Sequence, residues 1–499
     1  MKHYLNHDPA VQVEVISRTG DRFTLNRPVS WDSQHSMNNP VQSATVGFKG
    51  TRIDGTLGSR AFEGKAFYDA IQPFDCVHVT ALSPDGNRYT DVYGVAGKLT
   101  TDRAPNGDES TFLPVYSLGE PLIHTLVFWH AAIAGRANLA NIPWLKRAGE
   151  PISGPPPSVI KQIYRAWFND SSGVVLADGR RLDQAVRLAF HEFKDSLAVT
   201  PLNAMNMEGS VWEAMKNHAD TPFGELFTAP LYEENKFLRD FGLTQDYSTI
   251  GNLPKMAIHL RPMPFVPTRW DTLARTPGWN FSWDDSERVG GETIDWWNTS
   301  EVNTFFWCFG QFFQGRVDQL LQVFNDSGGK IPIVDEELLR RYGLRKFEQG
   351  TRYVEPLKES ETQGSLSAEQ QRNASSKTKV WEQLAKRSAE LALMFGYEKM
   401  AGGNVTLRGR IGDSKEHGIR LGSVMHRNHD GGRFQFYCDN YAQSWGMGRP
   451  WSTTVSLSRG IEPDKWRKWY TQRLTDINLG FLKTDLNAAF SPFGARIDE

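Results

Sequence analysis

Residues Gly402 to Gly460 read GGNVTLRGRIGDSKEHGIRLGSVMHRNHDGGRFQFYCDNYAQSWGMGRPWSTTVSLSRG, and the fold class is clearest in this segment. Short runs of apolar and β-branched residues alternate there with turns that contain glycine. This alternation is typical of antiparallel β-hairpins. No group of catalytic side chains stands among the strands, so the pattern favours a tube-building β-barrel over an enzyme.

Length and composition set the scale of the molecule. The chain has 499 residues, which at roughly 150 residues per domain predicts about three units. Apolar residues make up 39% and aromatic residues 12%, enough for packed cores with large rings left for interfaces. The net charge of -2 argues against a dedicated DNA or RNA binder, because such proteins carry a positive excess.

Cysteine usage and the apolar runs bear on the compartment. The three cysteines, Cys76, Cys308 and Cys438, are far apart, so we expect neither a zinc ribbon nor a redox motif. A sparse, odd count favours a reducing compartment. The N-terminal MKHYLNHDPA has no apolar core of a signal peptide, and the apolar run Leu122–Gly135 is too short to span a bilayer. We therefore expect a soluble protein made in the cytoplasm, with no membrane span.

The first part of the chain has the period of β-strands. Val11–Ile16, Asp75–Leu82 and Asp91–Leu99 combine β-favouring residues with turns such as SPDGNR and APNGDES. Alternation bounded by Asp-Gly and Asn-Gly turns predicts antiparallel hairpins in a barrel or a sandwich. Together with the Gly402–Gly460 stretch, the sequence predicts two β-rich blocks that flank a different middle.

The middle has the period of helices. Leu122–Gly135 is interpreted as a buried helix, and Ser158–Asp170 and Arg181–Leu197 carry apolar residues at helical spacing. Ser210 precedes Glu213 by three residues, which is the spacing of a capping box at the start of a further helix. The class is therefore α+β, with a helical insertion after about residue 119.

The last third adds two helices and a polar segment. Glu355–Lys379 has too few apolar residues to offset its ordering entropy and is expected to be a flexible loop. Val380–Gly396 is predicted to be helical, and Pro463 suits the first turn of a C-terminal helix. This tail either packs back on the body or docks on a partner, and the sequence leaves both open. Its large aromatic residues are Trp466, Trp469, Tyr470, Phe481 and Phe490.

Two groups of side chains were weighed as chemical sites. His426 and His429, with Asp430 adjacent, could be metal ligands, but no convincing third ligand is evident. A hairpin tip explains the HDGG sequence better. An acidic group among aromatic residues could suit a glycosidase pair. Its members are Asp284, Asp285, Glu287, Glu292 and Asp295. Spacing alone does not identify a catalytic pair among the 58 acidic residues.

The remaining motifs of enzymes are absent from the sequence. It holds no HExxH, no GxSxG and no GxxxxGK[ST], and the glycines near Gly402 precede a strand rather than a helix. We therefore predict no catalytic, cofactor-binding or metal-binding residue and no cofactor. The prediction is that the protein is not an enzyme.

Several short motifs, taken in order, resemble one family. They occur over about residues 205 to 460, and each is weak alone. They are Val211 and Trp212, Glu225 to Phe227, Arg261 to Phe265, Tyr342 with Gly343 and Arg345, Gly403 to Gly409, Arg420 to Gly422, Phe436 and Tyr437, and Thr453 to Gly460. In this order they resemble the central hub proteins of bacteriophage tail baseplates.

The resemblance implies a fold and an assembly. It implies two tube-like antiparallel β-barrel domains per chain, so that a homotrimer forms a pseudo-six-fold ring. That ring would adapt the six-fold tail tube to the three-fold spike or tip and would form part of the DNA channel. Closed rings reuse one interface, and barrels leave few free strand edges. The implied location is the tail baseplate of the virion, after assembly in the host cytoplasm.

The resemblance also implies partners. Beside its own copies, the chain would contact the tail tube protein or distal tail protein, the central spike or tip protein, the baseplate wedge proteins and the tape measure protein. DNA would pass through the lumen without specific binding, which is compatible with the near-neutral net charge.

The expected domains follow from the pattern and the resemblance together. They are residues 1–118 for the first tube-like β-barrel, 119–204 for the helical insertion, 205–268 with 380–462 for the discontinuous second tube-like β-barrel, 269–354 for a peripheral α/β region, 355–379 for a flexible loop, and 463–499 for a C-terminal helical docking segment.

Two other functions stay open. One is a tail-associated cell-wall or polysaccharide hydrolase that uses Asp284, Asp285 or Glu287, and the other is a glycan-binding tip that uses Trp296 and Trp297.

Overall fold

The structure is a computed structural model, and most of its described residues lie in β-strands. It describes residues 10–25, 27–54, 56–58, 60–82, 88–129, 156–168, 175–190, 207–230, 256–276, 279–283, 285–296, 301–309, 332–351, 384–409, 419–429, 432–446 and 448–479.

Nine strands form an N-terminal module. They are β1 (Ala10–Ile16), β2 (Arg22–Leu25), β3 (Pro28–Ser36), β4 (Ser43–Lys49), β5 (Thr56–Gly58), β6 (Cys76–Leu82), β7 (Arg88–Ala96), β8 (Thr100–Arg103) and β9 (Glu109–Ser117). A short helix, Phe67–Ala70, lies between β5 and β6. Val11, Val13 and Val15 on β1 are buried while Gln12 and Glu14 between them are partly exposed, as the period of a strand with one buried face requires. The hairpins predicted from this alternation are present.

The middle of the chain mixes helices with five strands. The strands are β10 (Leu126–Trp129), β11 (Val186–Phe190), β12 (Met207–Ser210), β13 (Gly224–Pro230) and β14 (Met256–Pro262). Among the described residues of this part, the helices of at least four residues are Glu120–His124, Pro156–Phe168, Leu182–Ala185 and Val211–Asn217. β10 pairs with β12, and β14 lies between β11 and β13 in a separate three-stranded sheet.

The last part supplies nine further strands. They are β15 (Asn280–Trp283), β16 (Arg288–Asp295), β17 (Phe305–Phe309), β18 (Ile333–Val334), β19 (Lys346–Gly350), β20 (Ala401–Arg408), β21 (Val424–His429), β22 (Gly432–Gly446) and β23 (Arg449–Ile461). The α-helices that the structure describes in this part are Pro267–Arg275, Glu336–Tyr342, residues 384–395 and Pro463–Leu479. Residues 384–395 lie within the predicted helix Val380–Gly396, and Pro463 begins the last helix as predicted.

One 15-stranded sheet joins the two ends of the chain. Its main path runs β16-β20-β23-β22-β3-β4-β9-β7-β6-β1-β2-β5, with β8 beside β9 and with β21 and β15 reached from β22. The junction is the antiparallel pair β3–β22, in register from Asn440↔Ser36 to Gly446↔Ser30. The described residues combine this large, mainly antiparallel sheet with helices, so the α+β class is confirmed. The strand pairings among them form an open path, and the closed tube-like barrels stay a prediction.

Three hydrophobic cores underlie this arrangement. The first lies in the N-terminal module around Trp31, the second packs Trp212 with the middle helices, and the third centres on strands β15 and β20 to β23 around Phe436. The number of domains expected from length stays a prediction. The boundaries predicted for those domains stay a prediction.

Two predicted helices are wrong over part of their length. Within Leu122–Gly135 the helix ends at His124, and β10 pairs antiparallel with β12. Within Arg181–Leu197 only Leu182–Ala185 is helical, and β11 then runs parallel to β14. Short apolar runs fit either state, and here the neighbouring strand supplies the hydrogen bonds that decide it. Residues 130–150 and 191–206 lie outside the described residues.

The region 269–354, expected at the periphery, contributes to the main sheet. β15 pairs in parallel with β21, and β16 pairs antiparallel with β20. Trp270, Trp279 and Trp283 are buried in the third core. These tryptophans are therefore core residues in this structure. The predicted flexible loop, residues 355–379, lies outside the described residues.

The C-terminal helix Pro463–Leu479 packs on the body of the protein. Trp466 is buried, with its ring centroid 6.1 Å from that of Trp270, and Arg467 pairs with Asp271 at 2.5 Å. Of the two placements left open by the sequence, packing on the body holds for this helix. Phe481 and Phe490 lie outside the described residues. Across the described part of the chain, no helix combines the length and apolar character that a membrane crossing needs.

Candidate functional site

The antiparallel pair β13–β14 places an acid opposite a base inside the protein. Glu225 on β13 is in register with Arg261 on β14, and both side chains are buried. A capping box begins the helix just before β13, since Ser210 Oγ accepts from the Glu213 backbone N–H at 3.1 Å and Glu213 caps the Ser210 N–H in return. This predicted motif is confirmed, and it fixes the chain that leads into β13.

Arg261 is the centre of a buried hydrogen-bonded cluster. Its Nε donates to Glu225 Oε2 at 2.7 Å, and its Nη2 donates to the Gly422 carbonyl at 2.7 Å and to the Tyr437 hydroxyl at 2.6 Å. The Tyr437 hydroxyl in turn donates to Glu225 Oε1 at 2.6 Å. Such additional hydrogen bonds offset the desolvation cost of burying a charged pair. We call Glu225, Arg261, Gly422 and Tyr437 the arginine cluster.

Aromatic rings enclose the Arg261 guanidinium. Its carbon lies 4.8 Å from the ring centroid of Trp279, 5.2 Å from that of Phe227 and 5.8 Å from that of Tyr437. Cation–π attraction of this kind strengthens when water is excluded. Burial opposes the charge on Arg261, but nearby Tyr437 and Glu225 outweigh burial and raise its pKa. Burial raises the pKa of Tyr437 well above its ordinary value, so Tyr437 stays a hydroxyl donor.

His259 lies beside the arginine cluster and is held neutral. Its ring stacks on Phe227 with centroids 5.0 Å apart and meets the edge of Trp279 at 6.0 Å. Burial, followed by the positive charges of Arg261 and Arg420, lowers the pKa of His259 to about 3. The unfolded chain therefore binds a proton here from about pH 6.5 downward, whereas the folded chain does so only near pH 3.

His259 is expected to make the fold acid-sensitive. Between pH 6.5 and pH 3 the unfolded state holds more protons at this position, so the free energy of unfolding falls as pH falls. Replacing His259 with glutamine should flatten this loss. We expect the urea midpoint to drop from pH 7 to pH 4 by less in H259Q than in the unmodified protein. Equal drops would show that His259 does not contribute to the acid response.

The arginine cluster unites residues from four of the motifs that carried the family resemblance. Glu225, Arg261, Gly422 and Tyr437 belong to separate motifs in the sequence and meet at hydrogen-bonding distance in the fold. Sequence reasoning named these motifs only as marks of resemblance and predicted no site residue. The signal that could have found the site was the recurrence of charged and hydroxyl side chains within otherwise apolar strands.

The motif containing Tyr342, Gly343 and Arg345 has a local role instead. Gly343 ends the helix Glu336–Tyr342 with φ of 73°, a conformation that favours glycine. The Arg345 guanidinium lies 5.4 Å from the Tyr342 ring centroid, and the Arg345 N–H donates to Thr304 Oγ1 at 2.9 Å. This motif therefore shapes the turn into β19.

A cavity of about 640 Å³ adjoins the arginine cluster. Glu225 and Tyr437 line it, together with Asp295, Glu301 and Asp439. In its wall the Arg459 guanidinium lies between two rings, 4.2 Å from the Phe265 centroid and 4.3 Å from the Phe395 centroid. We call this space the acidic cavity, because four acidic residues and two basic residues, Lys216 and Arg459, line it.

A second buried polar network lies at the junction of the two modules. Asp91, on β7, accepts hydrogen bonds from side chains of β3 and β22. The donors are Trp31 Nε1 at 2.9 Å, Ser33 Oγ at 3.1 Å, His35 Nε2 at 2.9 Å and Gln443 Nε2 at 3.3 Å. Gln443 also accepts from Trp451 Nε1 at 3.2 Å, and His35 stacks on Tyr441. One carboxylate therefore bonds both strands of the β3–β22 pair.

Solved structures that align with this chain include tail proteins and a component of a secretion system. The tail protein from Neisseria meningitidis MC58 aligns with 90% of this chain and 96% of its own length, at a TM-score of 0.47 and 10% identity. The 43 kDa tail protein of prophage MuSo2 from Shewanella oneidensis aligns with 92% of this chain and 99% of its own, at 0.47 and 9%. An E. coli component of the type VI secretion system aligns with 92% of this chain and 76% of its own, at 0.41 and 5%.

All three alignments have TM-scores below 0.5 and at most 10% identity. No protein-family model matches the sequence, and no curated protein sequence matches it.

The histidine group weighed as a metal site is not assembled in the described residues. His426 Nδ1 lies 3.3 Å from Gln435 Nε2, and burial lowers the pKa of His426. Asp430 and the side chain of His429 lie outside the described residues. Within the part of the chain that the structure describes, no three His, Cys, Asp or Glu side chains come together as metal ligands.

The acidic group weighed as a glycosidase pair is partly engaged by arginines. Glu292 Oε2 accepts from Arg427 Nη2 at 2.7 Å and from Arg288 Nη1 at 2.9 Å. Asp285 pairs with Arg288 at 3.1 Å, and Asp295 lines the acidic cavity. Asp284 lies outside the described residues.

Of the two tryptophans considered for a glycan-binding site, the structure describes only Trp296. Trp296 is 41% exposed and meets the ring of Phe434 edge-on, with centroids 4.7 Å apart. Trp297 lies outside the described residues. Among the described residues, this is a single half-exposed ring beside a hydrophobic neighbour, which is ordinary for a protein surface.

Proposed function

We propose that this chain is a structural protein of a phage tail, the central hub of its baseplate. Three copies would form a ring that adapts the six-fold tail tube to the three-fold spike or tip. DNA would pass through the lumen without specific binding. The partners would be the tube or distal tail protein, the spike or tip protein, the wedge proteins and the tape measure protein.

The arginine cluster is the observation that carries this proposal. The motifs of the family resemblance are weak one by one, but residues from four of them converge on one buried set of hydrogen bonds. Buried charged clusters are rare in proteins. Four residues chosen at random over about 210 positions of the chain are therefore not expected to meet in one such cluster. The convergence favours motifs that belong together.

The sheet gives the proposal a physical basis. Each chain has a β-rich module at either end, and β3 and β22 join them edge to edge. Three such chains would supply six modules to one ring, which is how a three-fold assembly could meet a six-fold tube. The two tube-like barrels, at residues 1–118 and at 205–268 with 380–462, are part of this proposal.

The test of the hub is the mass of the assembled protein. The chain has a mass of 56.4 kDa, so light scattering is expected to give three times that mass, alone or once the spike of the same tail is added. Electron microscopy of the particle should show a ring. A stable monomer in the presence of its spike would contradict the proposal.

The proposal includes no enzymatic activity. Zymograms with peptidoglycan or capsular polysaccharide are therefore expected to show no clearing. Clearing that is lost on replacing Asp285 or Glu287 with asparagine or glutamine would overturn this part and would favour a tail-associated hydrolase.

A further inference from the structure

We infer that an exposed aromatic patch on one copy of this chain inserts into the acidic cavity of the next. The patch consists of Arg18, Tyr68 and Phe74. The inference rests on the proposed ring and names the contact that would close it.

The patch exposes two large rings within a few residues of each other. Phe74 is 57% exposed and Arg18 beside it is also exposed, while Tyr68, six positions before Phe74 in the chain, is 69% exposed. The Arg18 guanidinium carbon lies 5.9 Å from the ring centroid of Phe74. Aromatic residues and arginine are the residues that supply most of the binding energy in protein interfaces. Single exposed apolar residues are common on protein surfaces, whereas an exposed aromatic ring in contact with an arginine is typical of an interaction site.

The backbone of Phe74 is held in a conformation that phenylalanine disfavours. Its φ is 68°, in the left-handed region, where bulky residues are outliers. The surrounding hydrogen bonds fix it there, since the Phe74 N–H donates to the Ala96 carbonyl at 3.1 Å. A strained residue that the fold over-determines is a reason to look for function. Here the strain holds an apolar ring in water.

The turn beneath Phe74 is tied to β1 and β6. The buried carboxylate of Asp75 accepts from the backbone N–H of Gln72 at 2.8 Å and of Arg18 at 3.0 Å. Arg18 Nη2 also donates to the Pro73 carbonyl at 2.7 Å. The backbone beneath Phe74 is therefore held in place, and the loop needs little further ordering on binding.

The acidic cavity is complementary in charge and in polarity. Asp295 and Glu301 line it and are exposed, whereas the patch presents a cation. Its apolar lining includes Met263, Phe347 and Met400. An aromatic side chain with an adjacent guanidinium fits a recess that offers apolar walls and carboxylates.

The two surfaces lie toward opposite ends of the main sheet. The patch adjoins β1 and β6, near the end of the path formed by β5. The acidic cavity is lined by residues of β20 and β23 and by Asp295 at the end of β16, the opposite end of the path. Surfaces placed in this way make a head-to-tail contact between copies, which closes into a ring when the rotation allows. A second copy is therefore the occupant.

A charge exchange tests the contact directly. Sedimentation velocity would be measured on the full-length chain carrying Arg18→Glu, Glu301→Arg, or both. Each single variant should weaken self-association at least about tenfold, because like charges then face each other. The double variant should recover most of it. Arg103→Glu, which makes the same change at an exposed position of β8, is the control and should have no effect.

Replacing Phe74 with glycine separates binding from folding. Glycine adopts the left-handed conformation freely, so the melting temperature should stay the same or rise. Self-association should nevertheless weaken, because the ring is lost. A ring that served only the fold would give the reverse, a lower melting temperature with unchanged association.

The outcomes distinguish this contact from the hub itself. An unmodified trimer whose mass survives Arg18→Glu, Glu301→Arg and Phe74→Gly would overturn the contact and leave the hub standing. Association restored in the double variant would support it. An unmodified chain that stays monomeric at every concentration, with and without its spike, would overturn both. Loss of binding to another tail protein, with the trimer intact, would assign the patch to that protein and overturn the contact.

Discussion

Replacing Arg261 with methionine is expected to lower the free energy of unfolding by about 3–5 kcal/mol. The substitution keeps most of the volume but leaves the Glu225 carboxylate buried without its cation. It also removes the donor to the Gly422 carbonyl, which ties β14 to the C-terminal strands. In urea denaturation, the transition that unfolds the core around Phe436 should have a lower midpoint in Arg261→Met than in the unmodified protein.

Two further variants make this result specific. Arg340→Met removes an arginine whose side chain is 81% exposed, and it should change stability by at most about 0.5 kcal/mol. Glu225→Met together with Arg261→Met should be less destabilised than Arg261→Met alone, since no buried charge is left unpaired. If Arg261→Met were no less stable than Arg340→Met, the arginine cluster would have no part in holding the fold.

Replacing Asp91 with alanine is expected to cost at least about 3 kcal/mol. The carboxylate accepts from four buried side chains, and its removal leaves their donors without an acceptor. Because these donors sit on both sides of the β3–β22 pair, the loss should weaken the junction between the modules. Calorimetry should show a lower melting temperature, and limited proteolysis should separate the modules sooner.

The matched variants for this prediction lie on the same sheet. Asp102→Ala removes an exposed carboxylate of β8 and should leave the melting temperature unchanged. Asp91→Asn keeps one acceptor oxygen and should give an intermediate loss. A melting temperature for Asp91→Ala equal to that for Asp102→Ala would mean that the network adds nothing to the junction.

The sequence predicts those parts of the fold that depend on local pattern. The hairpins around β1 and β22, the capping box at Ser210 and the turn at Gly343 each rest on a few neighbouring residues. The strands β10 and β11 were predicted as helix because LVFW and VRLAF are short apolar runs. Their state is decided by partners, β12 and β14, that lie far along the chain.

The arginine cluster lay beyond sequence reasoning for the same reason. Nothing local to Glu225 or Tyr437 indicates that the two side chains meet, since 212 positions separate them. The resemblance collected the right motifs, but it gave no ground for expecting their side chains to touch. Likewise, nothing local to Trp270, Trp279 and Trp283 indicates that they share one core with residues of β15 and β21.

The pairing of β3 with β22 has a consequence for how the chain is made. Ser36 leaves the ribosome about 400 residues before its partner Asn440. At about 5–20 residues per second, one edge of β3 waits roughly 20–80 seconds for its partner strand. An open edge is a template for unwanted pairing during that time. During synthesis the N-terminal module is therefore more exposed to unwanted edge pairing than the finished chain, in which β22 covers this edge of β3.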